Sequence, residues 1–335
     1  MMRWPMQRLS REAAWANVSE RGSDLSLRFI VWSIRKLGQA PMKLLLPPIA
    51  LYYCAFAPAA RRGSRAYLEQ LDRFMNAPPR RIGLRDFYEH VYHFADVLLD
   101  RFALWSGDYD RFEIQLHGRE HMQPLVDEHR GAFLVGAHLG SFDILRVIAR
   151  ESDIPVNVIM YTGNAEKVNA AFEALDPECN VRVIDIDPTS TRAAFEIRSC
   201  VSRGEFVAIL GDRAPLGARR ARVSYVNFLG RRAAFPQGPF LISAALRIPV
   251  ILTVALKTGP DRYDVFLETL STGERIAARD RERAVREQIQ HFASRLEVHC
   301  QRAPLQWFNF YDFWAGGSIA AGSEGRSTGV RDEPD

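Results

Sequence analysis

Two short apolar runs constrain the fold of this 335-residue chain more than any other feature: Ala132-Phe133-Leu134-Val135-Gly136 and Phe206-Val207-Ala208-Ile209-Leu210-Gly211. Each is uncharged, too short for an ordinary helix, and ends in glycine. Such runs read as strands buried on both faces, which is where the strands of parallel sheets sit. The pattern around them alternates. Strand-like stretches at 112–116, 156–161, 181–186, 250–256 and 263–267 are interleaved with helical stretches at 144–149, 165–175, 191–202, 239–245 and 284–300. Strands alternating with helices predict an α/β fold, a mainly parallel sheet flanked by helices. A hydrophobic content of 47% suits a well-cored globular chain.

The region before this domain is different. Residues 1–24 are polar, lack the apolar core of a cleavable signal, and are expected to form a flexible leader. Residues 25–107 are expected to be a helical, membrane-associated region. Its apolar run from Leu44 to Ala60 falls short of the ~20 residues a spanning helix needs. Pro47-Pro48 should break or kink it. Arg28, Arg35, Lys36 and Lys43 precede the run, and Arg61, Arg62 and Arg65 follow it. Cations at both ends with Tyr52 and Tyr53 inside suggest a segment lying in the membrane interface. A buried pair of core helices and a single span are the alternatives. The net charge of +4 is a weak excess, compatible with resting on anionic lipid; no nucleic-acid partner is expected. Residues 108–314 form the expected α/β domain, and 315–335 a disordered tail rich in Gly, Ser and charge.

The chemistry-bearing residues follow the two buried runs. His138 comes just after Gly136, at the carboxyl end of a strand, where open α/β sheets place their sites. Asp143 follows five residues later, near a helix start, and is expected to curl back onto the imidazole. A carboxylate on Nδ1 fixes the tautomer and leaves Nε2 free to take a proton from a hydroxyl. Gly140 is expected to leave room for substrate, and amides at the helix start to stabilise an oxyanion. Ser141 as a nucleophile would need a G-x-S-x-G elbow, but residues 139–143 read Leu-Gly-Ser-Phe-Asp. After the second run, Gly211-Asp212-Arg213 offers a planar guanidinium for a phosphate or carboxylate, with Asp212 holding it or a substrate hydroxyl. A third cluster, Phe228 to Pro239, combines Arg231 and Arg232 with Phe235-Pro236-Gln237-Gly238-Pro239. It reads as a basic loop leading into a helix, either suited to an acidic carrier protein or anionic headgroups or simply a solvated arginine-rich loop. His90, His93, Asp96 and Asp100 share a helical stretch; they could face a metal, but no second ligand motif accompanies them and a polar face is the simpler reading.

Taken in order, these blocks resemble the lysophospholipid acyltransferase superfamily, and within it the late lipid A (lauroyl/myristoyl) acyltransferase branch. His138 to Asp143 matches an H-x4-D/E block, Leu210-Gly211-Asp212-Arg213 a second block, and Phe235-Pro236-Gln237-Gly238-Pro239 a third. Arg302-Ala303-Pro304-Leu305-Gln306-Trp307 resembles the branch's R-x-P-x-Q-W/Y segment. The resemblance implies a glycerol-phosphate acyltransferase-like fold on the cytoplasmic face of the inner membrane. His138 would be the general base and Asp143 its orienting carboxylate. The acyl donor would be an acyl carrier protein or acyl-CoA thioester, attacked directly by a lipid hydroxyl without a covalent enzyme intermediate. Gly140, Ser141, Gly211, Asp212, Arg213, Phe235, Pro236 and Gly238 would contact substrate, and neither metal nor cofactor would be needed. Two departures bear on the acceptor. Phe308-Asn309-Phe310-Tyr311-Asp312-Phe313-Trp314 stands where the branch commonly has paired basic residues, and Tyr161 is followed by Thr162 rather than Arg. Fewer cations leave open a less anionic acceptor, such as an ornithine lipid, a glycolipid or an aryl-polyene lipid. A hydrolase, or a carrier-binding module without turnover, are the alternatives to transfer.

Overall fold

The computed structural model describes residues 39–105, 107–152, 154–160, 181–185, 191–213 and 222–314. Within them the chain is an α/β protein built on a mixed seven-stranded sheet. In chain order the strands are β1 (Glu113–His117), β2 (Phe133–Gly136), β3 (Val156–Met160), β4 (Val181–Asp185), β5 (Phe206–Leu210), β8 (Val250–Gly259) and β9 (Arg262–Ser271), arranged β1-β9-β8-β2-β5-β3-β4. All neighbours are parallel except β8 and β9, which form a long antiparallel hairpin. The expectation of a mainly parallel sheet flanked by helices therefore holds at that level. The two diagnostic runs, β2 and β5, lie side by side in the middle, and every residue of β2 is buried. Their near-continuous apolar character is what burial on both faces requires.

Two elements were not legible as such. The stretch expected to be a basic loop is a separate antiparallel hairpin, β6 (Val223–Phe228) and β7 (Arg231–Pro236). A short helix, α5 (Arg119–Asp127), follows β1, whereas α6 (Leu145–Ser152) and α7 (Thr191–Ser202) fall where helices are expected. The helix expected at 165–175, the leader and the tail lie outside the described residues.

Four helices precede the sheet: α1 (Gln39–Lys43), α2 (Leu46–Phe56), α3 (Pro58–Phe74) and α4 (Leu84–Trp105). Pro47 and Pro48 do not break a helix but begin one. They occupy the first turn of α2, where no amide hydrogen bond is lost. The sharp bend falls instead at Ala57-Pro58, and the pair Pro41–Phe56 and Pro58–Phe74 meets at 97°. Among the described residues no single helix is long and apolar enough to cross a membrane. On α2, Leu46, Ala50 and Cys54 are buried, the last two packing with Phe87 and Val91 of α4. The opposite face is open: Phe56 is 71% exposed, Leu51, Tyr52 and Tyr53 are exposed as well, and Leu44, just before the helix, is 77% exposed.

Helix α4 holds these layers to the sheet. His90, Asp96 and Asp100 on it make internal connections rather than a solvated face. Lys257 of β8 reaches Asp96 (2.5 Å) and Asp100 (2.6 Å), and the Tyr263 hydroxyl donates to Asp100 (2.6 Å). His90, fully buried, contacts the Ser64 hydroxyl of α3 (2.8 Å) and the Trp307 carbonyl (3.0 Å).

After α8 (Gly238–Leu246) and the β8–β9 hairpin, the long helix α9 (Arg281–Arg302) leads into residues 303–314, which pass back over the carboxyl ends of the central strands. The Gln306 side-chain amide pairs with both backbone groups of Lys257, at 2.9 and 2.7 Å. Trp307, Phe313 and Trp314 sink into an aromatic cluster with Phe228.

Candidate active site

Register assembles the site. Gly136 of β2 faces Leu210 of β5, so two residues beyond the strand ends His138 stands beside Asp212. The imidazole Nδ1 lies 2.8 Å from Asp212 Oδ1. A carboxylate only accepts, so Nδ1 carries the proton, and in the neutral ring Nε2 presents the lone pair. Asp212 is fully buried, whereas the His138 side chain is 34% exposed. The His138 peptide N–H and the Trp307 indole Nε1–H both donate to Asp212 Oδ2, each at 3.1 Å. Burial by itself would raise the Asp212 pKa. The His138 imidazole, the Arg213 cation and the Trp307 donor outweigh it and hold the carboxyl well below its usual range.

Asp143 is not the carboxylate at the imidazole, contrary to the five-residue expectation. It sits in a single 3-10 turn, Phe142–Ile144, that faces α4. One oxygen is bound by Arg101 Nε at 2.6 Å and the other by Trp105 Nε1 at 2.9 Å. Spacing along the chain allowed the carboxylate to curl back, but two α4 donors compete for it while Asp212 arrives by strand pairing.

The loop after β2 is held by backbone bonds. The Gly140 N–H donates to the Gln306 carbonyl, the Ser141 N–H to the Ala255 carbonyl, and the Phe308 N–H to the His138 carbonyl. The amides of Gly140 and Ser141 are thus engaged and are not oxyanion donors. Gly140 does not open space for substrate either. With φ at +66°, it lets Ala255 approach so closely that an added Cβ would lie 1.8 Å from the Ala255 oxygen. Ser141 is buried in the wall of a small cavity behind the loop, lined also by Leu139, Phe142, Thr253, Ala255 and Val265. Its volume of about 10 Å³ admits a single water and no alkyl chain.

Arg213 borders the dyad. Its Nη2 donates to the Phe308 carbonyl at 2.5 Å, its guanidinium lies 5.5 Å over the Tyr311 ring, and Nε stands 4.0 Å from Asp212 Oδ2. Nε is buried without a hydrogen-bond acceptor. Gly211 packs tightly: a Cβ there would meet Val135 at 2.7 Å. Phe235 and Pro236 are buried at the end of β7, Phe235 among Phe228, Phe292 and Phe313. They have no surface to offer a substrate. Gly238 begins α8 with open space at its Cα. The structure therefore gathers His138, Asp212 and Arg213, and leaves Asp143, Ser141, Phe235 and Pro236 elsewhere. Trp307 touches the dyad and His90 sits behind Trp307, and neither role is legible in the sequence. The only signal was the Gln306-Trp307 pair, and nothing local marks an indole as a carboxylate donor.

Compared with known proteins, the chain matches no family model and no curated protein.

Proposed function

We propose that this chain is a membrane-associated acyltransferase that moves a fatty acyl group from a thioester carrier to a lipid hydroxyl, with His138 as general base. The observation that carries the reading is the imidazole itself. It is held by a buried carboxylate through Nδ1, stands at the carboxyl ends of two adjacent strands, and is partly open to solvent. In the reaction the acceptor oxygen attacks the thioester carbonyl carbon while Nε2 takes the hydroxyl proton. The tetrahedral intermediate then collapses, the C–S bond breaks, and the imidazolium returns its proton to the departing sulfur. Asp212 stabilises the imidazolium and fixes the ring. Arg213, 23% exposed beside Asp212, positions an anionic group of donor or acceptor.

The open face of α2 supports a lipid substrate. Leu44, Leu51, Tyr52, Tyr53 and Phe56 are exposed together, with Lys43 at one end and Arg61, Arg62 and Arg65 at the other. An apolar face bracketed by cations fits an anionic bilayer surface. Through α2 and α4 that face connects to Phe310, which belongs to the segment crossing the dyad. The inner membrane, acyl carrier protein or acyl-CoA as donor, and a lipid A-type or less anionic acceptor complete the proposal. In the assay, purified protein is incubated with labelled acyl-carrier protein or acyl-CoA and total membrane lipid, and acylated lipid is measured against free fatty acid. Transfer is expected, with a loss of about 10²–10⁴-fold in His138→Ala. Free fatty acid as the main product would make it a hydrolase, and full activity in His138→Ala would remove the mechanism.

A further inference from the structure

Behind Asp212 runs a buried hydrogen-bond chain that packing alone does not require. The Ser64 hydroxyl pairs with His90 Nδ1 at 2.8 Å, and His90 Nε2 with the Trp307 carbonyl at 3.0 Å. Trp307 Nε1 meets Asp212 Oδ2 at 3.1 Å, and Asp212 Oδ1 meets His138 Nδ1 at 2.8 Å. Ser64, His90, Trp307 and Asp212 are each no more than 1% exposed. The direction of each bond is determined. The Trp307 carbonyl only accepts, so His90 Nε2 carries a proton; the remaining His90 nitrogen then accepts from Ser64. An indole N–H only donates, so Trp307 spends its single polar group on Asp212.

Trp307 otherwise behaves as one ring in an aromatic cluster with Tyr67, Phe228 and Phe313, at centroid distances of 4.8, 5.2 and 4.9 Å. Phe228, Phe235 and Phe313 fill that cluster without any polar atom. The N–H of Trp307 is the one group there aimed at a buried anion. With it in place Oδ2 holds two donors, the indole and the His138 amide, and Oδ1 is left to the imidazole.

We propose that Trp307, seated by His90, is a positioning residue of the His138–Asp212 pair, its indole N–H locking the carboxylate so that His138 keeps its proton on Nδ1 and its lone pair on Nε2. This rests on His138 being the base, yet it concerns a property of the resting protein. The charged group nearest the pair is Arg213. The other titratable groups close to Asp212, Cys300 and Tyr311, are held protonated by burial. Removing a donor dipole from the carboxylate makes the site more negative, so the imidazole should bind its proton more tightly.

The test is nitrogen NMR of the full chain with labelled histidine, the His138 signals assigned by their loss in His138→Gln. Trp307 is replaced by benzothienylalanine, which keeps the ring shape and lacks the N–H. Phe313→Leu loosens the same cluster without touching the chain of bonds. The wild type is expected to show the Nδ1-protonated tautomer. The benzothienyl variant should raise the His138 pKa by about half a unit or more and mix the tautomers, and Phe313→Leu should do neither. A His138 titration unmoved by the benzothienyl ring, or moved equally by Phe313→Leu, overturns the proposal. No substrate is involved, so this result stands apart from whether acyl transfer is ever detected.

Discussion

At the scale of single residues, the two aspartates separate what chain spacing suggests from what pairing achieves. Asp143 was the visible partner for His138, five residues on and near a helix start. Asp212 was visible only as half of a charged pair after a second strand. Its role depends on β2 and β5 being neighbours with Gly136 opposite Leu210, which local sequence does not encode. The buried histidine of α4 makes a second residue-scale prediction. Burial lowers the His90 pKa from 6.5 to about 4, with the Trp307 hydrogen bond only partly opposing it. Its folded pKa is depressed, so the unfolded chain binds the extra proton first. The neutral ring's contribution is complete above about pH 6.5 and is lost as pH falls toward 4. Chemical denaturation between pH 7 and 4 should show a stability slope of up to about 1.4 kcal/mol per pH unit from this group. His90→Gln, which keeps a donor for the Trp307 carbonyl, should lose that part of the slope. An unchanged slope would mean that His90 does not titrate between the folded and unfolded states.

Among the elements, α4 and α2 are the least legible from sequence and the most informative in place. The apolar period of α4 is plain, but its His and Asp residues look like a polar face because Lys257, Tyr263 and Trp307, which they meet, are 150 or more positions away. Lys257 is 7% exposed and lies between Asp96 and fully buried Asp100. Removing a cation from a buried cluster strands the carboxylates, so Lys257→Met should cost about 3–5 kcal/mol in denaturant unfolding; a cost below about 1 kcal/mol would show that water reaches the cluster. The α2 run could be read from its apolar residues and flanking arginines. What could not be read was that prolines begin the helix and that only half of it is covered. If the open half meets lipid, the Tyr52→Ser, Phe56→Ser double variant should weaken sedimentation with anionic vesicles about tenfold or more. Raised salt should weaken the wild type too, because cations flank the face. Equal binding by both proteins would place the lipid contact elsewhere.

For the molecule as a whole, the order of strands along the chain was legible because buried strands are short, apolar and punctuated by glycine. Their order in the sheet was not, since β9 inserts between β1 and β8 and runs against β8. The hairpin of β6 and β7 is not legible because its arginines hide an alternating pattern, whose inner residues, such as Phe228, Ala233 and Phe235, pack in one core with Trp307. The R-x-P-x-Q-W segment stands out in the sequence, yet its crossing over the site from the far end of the chain appears only in three dimensions. Gly140 joins these parts. Gly140→Ala should place a methyl against the Ala255 oxygen in a backbone region that L-residues avoid, and should lower thermal stability and activity together. A variant with unaltered melting and turnover would show that the loop is looser than its contacts imply.

The central claim is that catalysis depends on His138 acting through Asp212 and not through Asp143. It is tested most directly by measuring transfer from labelled acyl-carrier protein or acyl-CoA to total membrane lipid with Asp212→Asn and Asp143→Asn side by side, both checked for folding by circular dichroism. The expected result is a fall of about 10²-fold or more in Asp212→Asn and near wild-type transfer in Asp143→Asn. Folded Asp212→Asn protein that still transfers at the wild-type rate, with Asp143→Asn inactive, would contradict it.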